Sequence, residues 1–238
     1  MKKILFSILF VLTTLFIVVG FSIGNNDNVK NELISIKKDK AKKLHVDLNL
    51  GAGEMTVSKG AKNWIDGSID YNRKLEPTVS YSLKDTTGEV KIDQSKKHFP
   101  NFKIGKFKNE WDLKLTNKVP LDLDVNTGAS KTNLDLRGLK LKKLNIETGV
   151  GELNVNLSGN WKNSFDVNIE SGVGKTTIIL PSNVGVKVKT SKGIGKANVV
   201  DLISKGNGVY VNKAYEDSKV KVTINMELGV GEVNLKVD

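Results

Sequence analysis

The chain has no cysteine, two histidines and four prolines, and only 6% of it is aromatic. Without cysteine there are no disulfides, no thiolate metal sites, no cysteine nucleophile and no lipid attachment at a processed N-terminal cysteine. The two histidines, His45 and His98, lack ligand-like spacing, and no Ser-His-Asp arrangement is readable around them. Beyond residue 24 there is no second apolar run for a C-terminal anchor and no Leu-Pro-x-Thr-Gly sorting signal. No later stretch keeps a helical apolar period for three turns.

What is present begins at the N-terminus. Lys2 and Lys3 precede an uncharged run from Ile4 to Gly24. At about 1.5 Å per residue in a helix, such a run spans roughly the 30 Å of a bilayer's hydrocarbon core. It is longer than a usual signal-peptide core, yet Ser22 and Gly24 are small and spaced as a cleavage site requires. Residues 1–24 are therefore expected to be a membrane anchor or a cleaved signal peptide. Both readings export the remainder and leave Lys2 and Lys3 in the cytoplasm. The exported part, without those two lysines, has 35 basic and 26 acidic residues, a net charge of +9.

After a polar linker at residues 25–31, apolar and polar residues alternate almost to the end. His45-Val46-Asp47-Leu48-Asn49-Leu50 and Leu121-Asp122-Leu123-Asp124-Val125 both have period two, the pattern of half-buried strands. Asp85-Thr86-Thr87-Gly88 between two such runs reads as a hairpin.

Six segments align on one unit: LGAGEMTV, TGASKTNL, TGVGELNV, SGVGKTTI, KGIGKANV and LGVGEVNL. Their first glycines are Gly51, Gly128, Gly149, Gly172, Gly193 and Gly229. Their second are Gly53, Gly151, Gly174, Gly195 and Gly231, with Ser130 taking that place in the Gly128 unit. Six residues after the first glycine an aliphatic residue always follows, and three before it the position is apolar except at Thr190. A unit of about 21–23 residues cannot bury its own apolar face, so it stacks on its neighbours. The expected fold is all-β: a β-solenoid-like stack of short strands with glycine-marked corners, preceded by one N-terminal apolar helix. Residues 32–118 would form an N-terminal part with the hairpin inserted, and residues 119–238 the repeats.

One unit, Ser171-Gly172-Val173-Gly174-Lys175-Thr176-Thr177, looks like a phosphate-binding loop. That loop needs a glycine five residues before Gly174, where Ile169 stands, and a helix after it. Here β-branched residues and Pro181 follow. The equivalent of Lys175 is Glu54, Glu152 or Glu232 in sister units, and a phosphate cradle would not repeat with reversed charge. The dinucleotide fingerprint fails likewise, with Asn154 and Asn198 where its third glycine belongs. No nucleotide, cofactor or metal is expected, and no nucleic-acid partner either, because no aromatic stacking cluster accompanies the basic residues of an exported chain. Stacking in register would instead place Lys131, Glu152 and Lys175 in one surface row. Asp122 and Asp124 read as outward, solvated positions, and Trp64, Trp111 and Trp161 as core or cap residues in preference to a carbohydrate platform.

Trp111-Asp112-Leu113-Lys114-Leu115, then residues 119–129, then Thr148-Gly149-Val150-Gly151, preceded by residues 51–72, resemble the toast-rack domain of bacterial envelope proteins. That group includes the C-terminal domains of LiaF-type proteins and adhesin-type β-strand-repeat proteins. The resemblance implies a stacked β fold, a role in sensing, scaffolding or regulating a response to wall stress, and no catalytic residues. The chain departs from the LiaF-type layout in having one N-terminal apolar segment in place of several spans. The reading is a non-enzymatic, extracytoplasmic interaction or sensing module, tethered to the membrane by residues 4–24 if these are uncleaved and secreted if cleavage follows Gly24. Its expected partner is an envelope protein or an anionic wall polymer. The alternative is a surface adhesin or wall-polymer binder that uses the lysine clusters.

Overall fold

The computed structural model describes residues 29–72, 75–94 and 108–238. The expected anchor or signal peptide, most of the linker, and His98 lie outside the described residues. Among the described residues the regular structure is all strand, and no helix is long and apolar enough to cross a membrane.

Each repeat unit is one continuous strand, not two or three short ones. They are β2 (Lys43–Lys59), β7 (Leu121–Asp135), β8 (Leu141–Asn156), β9 (Phe165–Leu180), β10 (Gly185–Val200) and β13 (Lys221–Val237). Fifteen residues of straight strand would reach about 50 Å. Yet β7 is joined to its neighbour β8 by residues 136–140, which bridge at most about 20 Å, and Leu121 lies beside Leu141. Each unit must therefore double back, and the repeat glycines mark where. The burial pattern shows the same bend. Leu121, Leu123, Val125 and Thr127 are buried before the corner, Ser130, Thr132 and Leu134 after it, so the inward set changes parity across Gly128 and Ala129. A unit is thus two arms around one core, with the corner at one end and the return connections at the other.

The units pair in parallel in the order β2-β7-β8-β9-β13-β10. The C-terminal strand does not close the stack. It sits between β9 and β10 and pairs with both along nearly its whole length. In this order Leu48, Val125, Ile146, Ile169 and Met226 form one inward row, ending at Thr190. Val57, Leu134, Val155, Ile178, Leu235 and Val199 form another on the facing arm. All but Thr190 and Val199 are buried.

At the β2 end the two arms are extended by different elements. β5 (Thr87–Asp93) pairs with the first arm of β2 and carries β4 (Thr78–Lys84). These two form a hairpin with its turn at Asp85-Thr86, Asp85 having a φ of 54°. β6 (Asn109–Leu115) pairs with the second arm and is followed outward by β3 (Ile65–Asn72) and β1 (Val29–Ile36). Trp64, Trp111 and Trp161 are all buried. Trp111 Nε1 donates to Asn109 Oδ1 at 3.1 Å, and Asn109 Nδ2 donates to the carbonyl of Ala52 at 2.5 Å, so the corner of β2 is met by amides where no further unit stacks. At the β10 end, β12 (Val209–Val211) and β11 (Ile203–Gly206) continue the first arm only.

Candidate functional site

The corners are built by backbone proximity. At Gly174 φ is +145°, a conformation that side-chain-bearing residues avoid. A Cβ there would lie 1.8 Å from the carbonyl oxygen of Gly151 on the next unit. The same row of positive-φ glycines runs through Gly53, Gly151, Gly231 and Gly195. The first-glycine row, Gly128, Gly149, Gly172, Gly229 and Gly193, is packed less closely but still without room for a side chain, a Cβ on Gly172 falling 2.4 Å from Gly149 oxygen and one on Gly128 2.2 Å from Gly51 oxygen. Ser130 occupies the second-glycine place without a positive φ, and its hydroxyl lies 3.0 Å from that of Thr132.

Between the two glycines of each unit one residue points out. Register aligns Ala52, Ala129, Val150, Val173, Val230 and Ile194 into a ridge along the stack. Val150, Val173, Val230 and Ile194 are 54, 48, 49 and 76% exposed. On one flank of the ridge runs a charged row, Glu54-Lys131-Glu152-Lys175-Glu232-Lys196, in which every neighbour has opposite sign. Lys175 Nζ lies 3.9 Å from Glu232 Oε1.

The other flank carries a row that reading the sequence did not single out. Glu147, Glu170 and Glu227 occupy adjacent rungs two residues before the first glycine. At about 4.8 Å between rungs the three like charges repel, so the row costs stability. Its signal was present in the aligned units, ETG, ESG and ELG, but the third joins the other two only because β13 inserts beside β9. An open trough of about 790 Å³ follows this row, lined by these carboxylates and by Gly128, Gly149, Gly172 and Gly229.

Further along the same outer face, Asn145 Nδ2 donates to Asp124 Oδ1, Asn168 to Asn145, and Asn225 to Asn168, an amide ladder across four units. His45 Nε2 lies 2.6 Å from Asp124 Oδ2, and its Nδ1 lies 3.1 Å from Glu89. Partial burial pushes the imidazole pKa down, but the hydrogen bond and charge of Asp124, with Glu89 beside it, outweigh this and raise it. The cluster ties the β4–β5 hairpin to β2 and β7. Asp122 and Asp124 share one face of β7, and Asp124 is engaged by His45 and Asn145 instead of being free in solvent.

The phosphate-loop lookalike lies inside β9, with strand continuing through Leu180, so no helix N-terminus faces Lys175. Among the described residues no group of three or more His, Asp or Glu is arranged to hold a metal ion.

Residues 25–179 match the family described as the N-terminal domain of toast-rack, and residues 127–235 match that described as the C-terminal part of LiaF, cell-wall-active antibiotics response. The first covers more than half of the chain. The chain belongs to the toast-rack family. It is also similar to a crystal structure described as that of a candidate cell adhesion protein from Clostridium sporogenes, with 34% identity and a TM-score of 0.85 over 88% of this chain and 100% of that one. A candidate adhesin from Bacteroides fragilis aligns over 90% of this chain and 100% of its own, with 14% identity and a TM-score of 0.27. No curated protein matches the chain. The toast-rack match accords with an all-β, open-edged sheet of many strands and with a non-catalytic, envelope-associated module.

Proposed function

We propose that this toast-rack protein is a non-enzymatic module of the bacterial envelope, exported and held at the outer face of the membrane by residues 4–24. It acts as a sensor or scaffold in the response to envelope stress, through the outward columns of its β-solenoid-like stack. The observation that carries this reading is the repetition of one side-chain class per column, aliphatic or charged over six units and amide over three. Such columns offer extended recognition surfaces, as stacked-repeat proteins generally do. The match of residues 127–235 to a family described by its response to cell-wall-active antibiotics supports the stress role.

The full-length protein should stay with the membrane fraction and be digested by protease added outside intact protoplasts. Its loss should alter survival under cell-wall-active antibiotics. Recovery from the cytoplasm, or turnover of an envelope polysaccharide by the purified protein, refutes the reading.

A second reading rests on the return connections, where Lys42, Lys118, Lys140, Lys162 and Lys219 are all exposed. These would draw an anionic wall polymer. Salt-sensitive retention on purified wall polymer, with no protein partner recovered from envelope extracts, would favour it over the first.

A further inference from the structure

The aliphatic ridge has no structural duty that accounts for it. Its side chains project from the tips of the corners, and a polar residue between the two glycines would bend the chain equally well. Such a contiguous exposed stripe marks a contact surface. With five strand spacings of about 4.8 Å, it runs for about 24 Å.

The start of the folded chain says what the ridge meets. β1 is antiparallel to β3, and β3 to β6, so β1 runs in the same direction as the second arm of β2. Val29 lies opposite Asn72, and the Asn72 amide donates to the Lys108 carbonyl. Glu54 pairs with Glu110, so Lys108 falls at the level of Ala52, the first residue of the ridge. From Val29 to Ile36 the strand runs away from the corners, toward the return connections. Val29 therefore lies at the level of the corners, beyond the Ala52 end of the ridge. Four residues, 25–28, separate it from the apolar run ending at Gly24, and they bridge at most about 18 Å.

The geometry points to the corner ridge, Ala129, Val150, Val173, Val230 and Ile194, as the face that rests on the lipid surface of the membrane. This deepens the tethered-module reading and rests on residues 4–24 being an uncleaved anchor. The lysine-bearing return connections then face away from the bilayer, one arm or about 20 Å from the corners. That distance exceeds the Debye length of about 8 Å at physiological salt, so anionic lipid attracts them little. The rows beside the ridge do not draw it to anionic lipid either, one being balanced and the other acidic. The contact is apolar, and the short tether holds it in place.

Because the chain has no cysteine, single labels are clean. Full-length Val173→Cys and Ile194→Cys, and at the opposite end Lys140→Cys and Lys219→Cys, would each carry an environment-sensitive fluorophore. Each would be reconstituted in phosphatidylcholine–phosphatidylglycerol vesicles containing nitroxide lipid. The two corner labels should be quenched several-fold more by the lipid nitroxide than the two lysine-end labels, and the reverse should hold for aqueous iodide. Ala129→Cys provides a third corner site if either corner variant melts abnormally. Equal or reversed quenching on protein that floats with the vesicles overturns the orientation and leaves the tether standing. Corner labels shielded from both quenchers would mean that protein, such as a second copy, covers the ridge, and would also overturn it. Protein that fails to float overturns both the orientation and the tether.

Discussion

Gly174→Ala tests the claim that the corners are held by backbone contact. The φ of +145° costs an alanine about 1–3 kcal/mol. Its Cβ would start 1.8 Å from the Gly151 carbonyl oxygen, a distance that must grow by more than 1 Å before the contact is tolerable. The clash is with backbone, so no side-chain rotation relieves it. The rungs between β8 and β9 must part at the corner, and losing two backbone hydrogen bonds there adds about 2 kcal/mol. A total of about 4 kcal/mol lowers the melting temperature by roughly 8–16 °C for a domain of this size. Gly206→Ala is the control. It too has positive φ, +84°, but nothing lies within 4 Å of its would-be Cβ. It should cost about 1 kcal/mol, or roughly 2–4 °C. Thermal unfolding followed by circular dichroism measures both. Equal shifts in the two variants would refute the backbone-contact argument and leave only the φ penalty.

Other perturbations probe the faces and the topology. Lys175→Glu sets three carboxylates side by side with Glu152 and Glu232; it should cost about 1 kcal/mol, largely recovered in about 1 M salt, and a salt-independent loss would break the ladder reading. The raised pKa of His45 stabilises the fold fully below its unfolded value of about 6.5, and that contribution is lost as pH rises through the folded value. His45→Gln should therefore lower the melting temperature more at about pH 5.5 than at pH 9, and a pH-independent difference would count against the carboxylate clamp. Deleting residues 221–238 should detach β10, β11 and β12 from the stack, read as lost amide-exchange protection there while β7 and β8 stay protected; undisturbed protection in β10 would contradict the observed pairing. ATP and GTP should not bind measurably, and affinity lost on Lys175→Ala would overturn the structural reading of that unit.

Much of the fold is legible in the sequence because the repeat constrains it twice. Alternation assigns strands, and the glycine spacing aligns Val57, Leu134, Val155, Ile178, Val199 and Leu235 before any coordinates are known. What alternation cannot show is that one unit is a single bent strand, since a corner that shifts parity looks like a break between two strands. The ridge and the Glu147-Glu170-Glu227 row were hidden for another reason. Each is unremarked within its own unit and acquires meaning only when units become neighbours.

The placement of β13 explains the one exception in the inward rows. Stacked in chain order, Thr190 would lie between Ile169 and Met226, with a hydroxyl facing apolar carbon on both sides. In the observed order Met226 is its only apolar neighbour in the row, with Gly208, whose carbonyl accepts from the Thr190 backbone N–H, on the other side, although the Thr190 hydroxyl is still buried without a hydrogen-bond partner. Ala197, the smallest residue of the row Met55, Thr132, Leu153, Thr176, Val233 and Ala197, sits in that same terminal unit. An underfilled site leaves a void against two neighbours inside a stack but against only one at its end, and voids in a packed core are costly. The charged row follows the same arrangement. Chain order would set Lys175 against Lys196, whereas inserting β13 puts Glu232 between them and makes every contact in the row attractive. An exposed pair contributes about 1 kcal/mol at most, so the charges alone do not choose the order. Packing chooses it by sending the weakest unit to the end, and the charges of the neighbouring units match that choice.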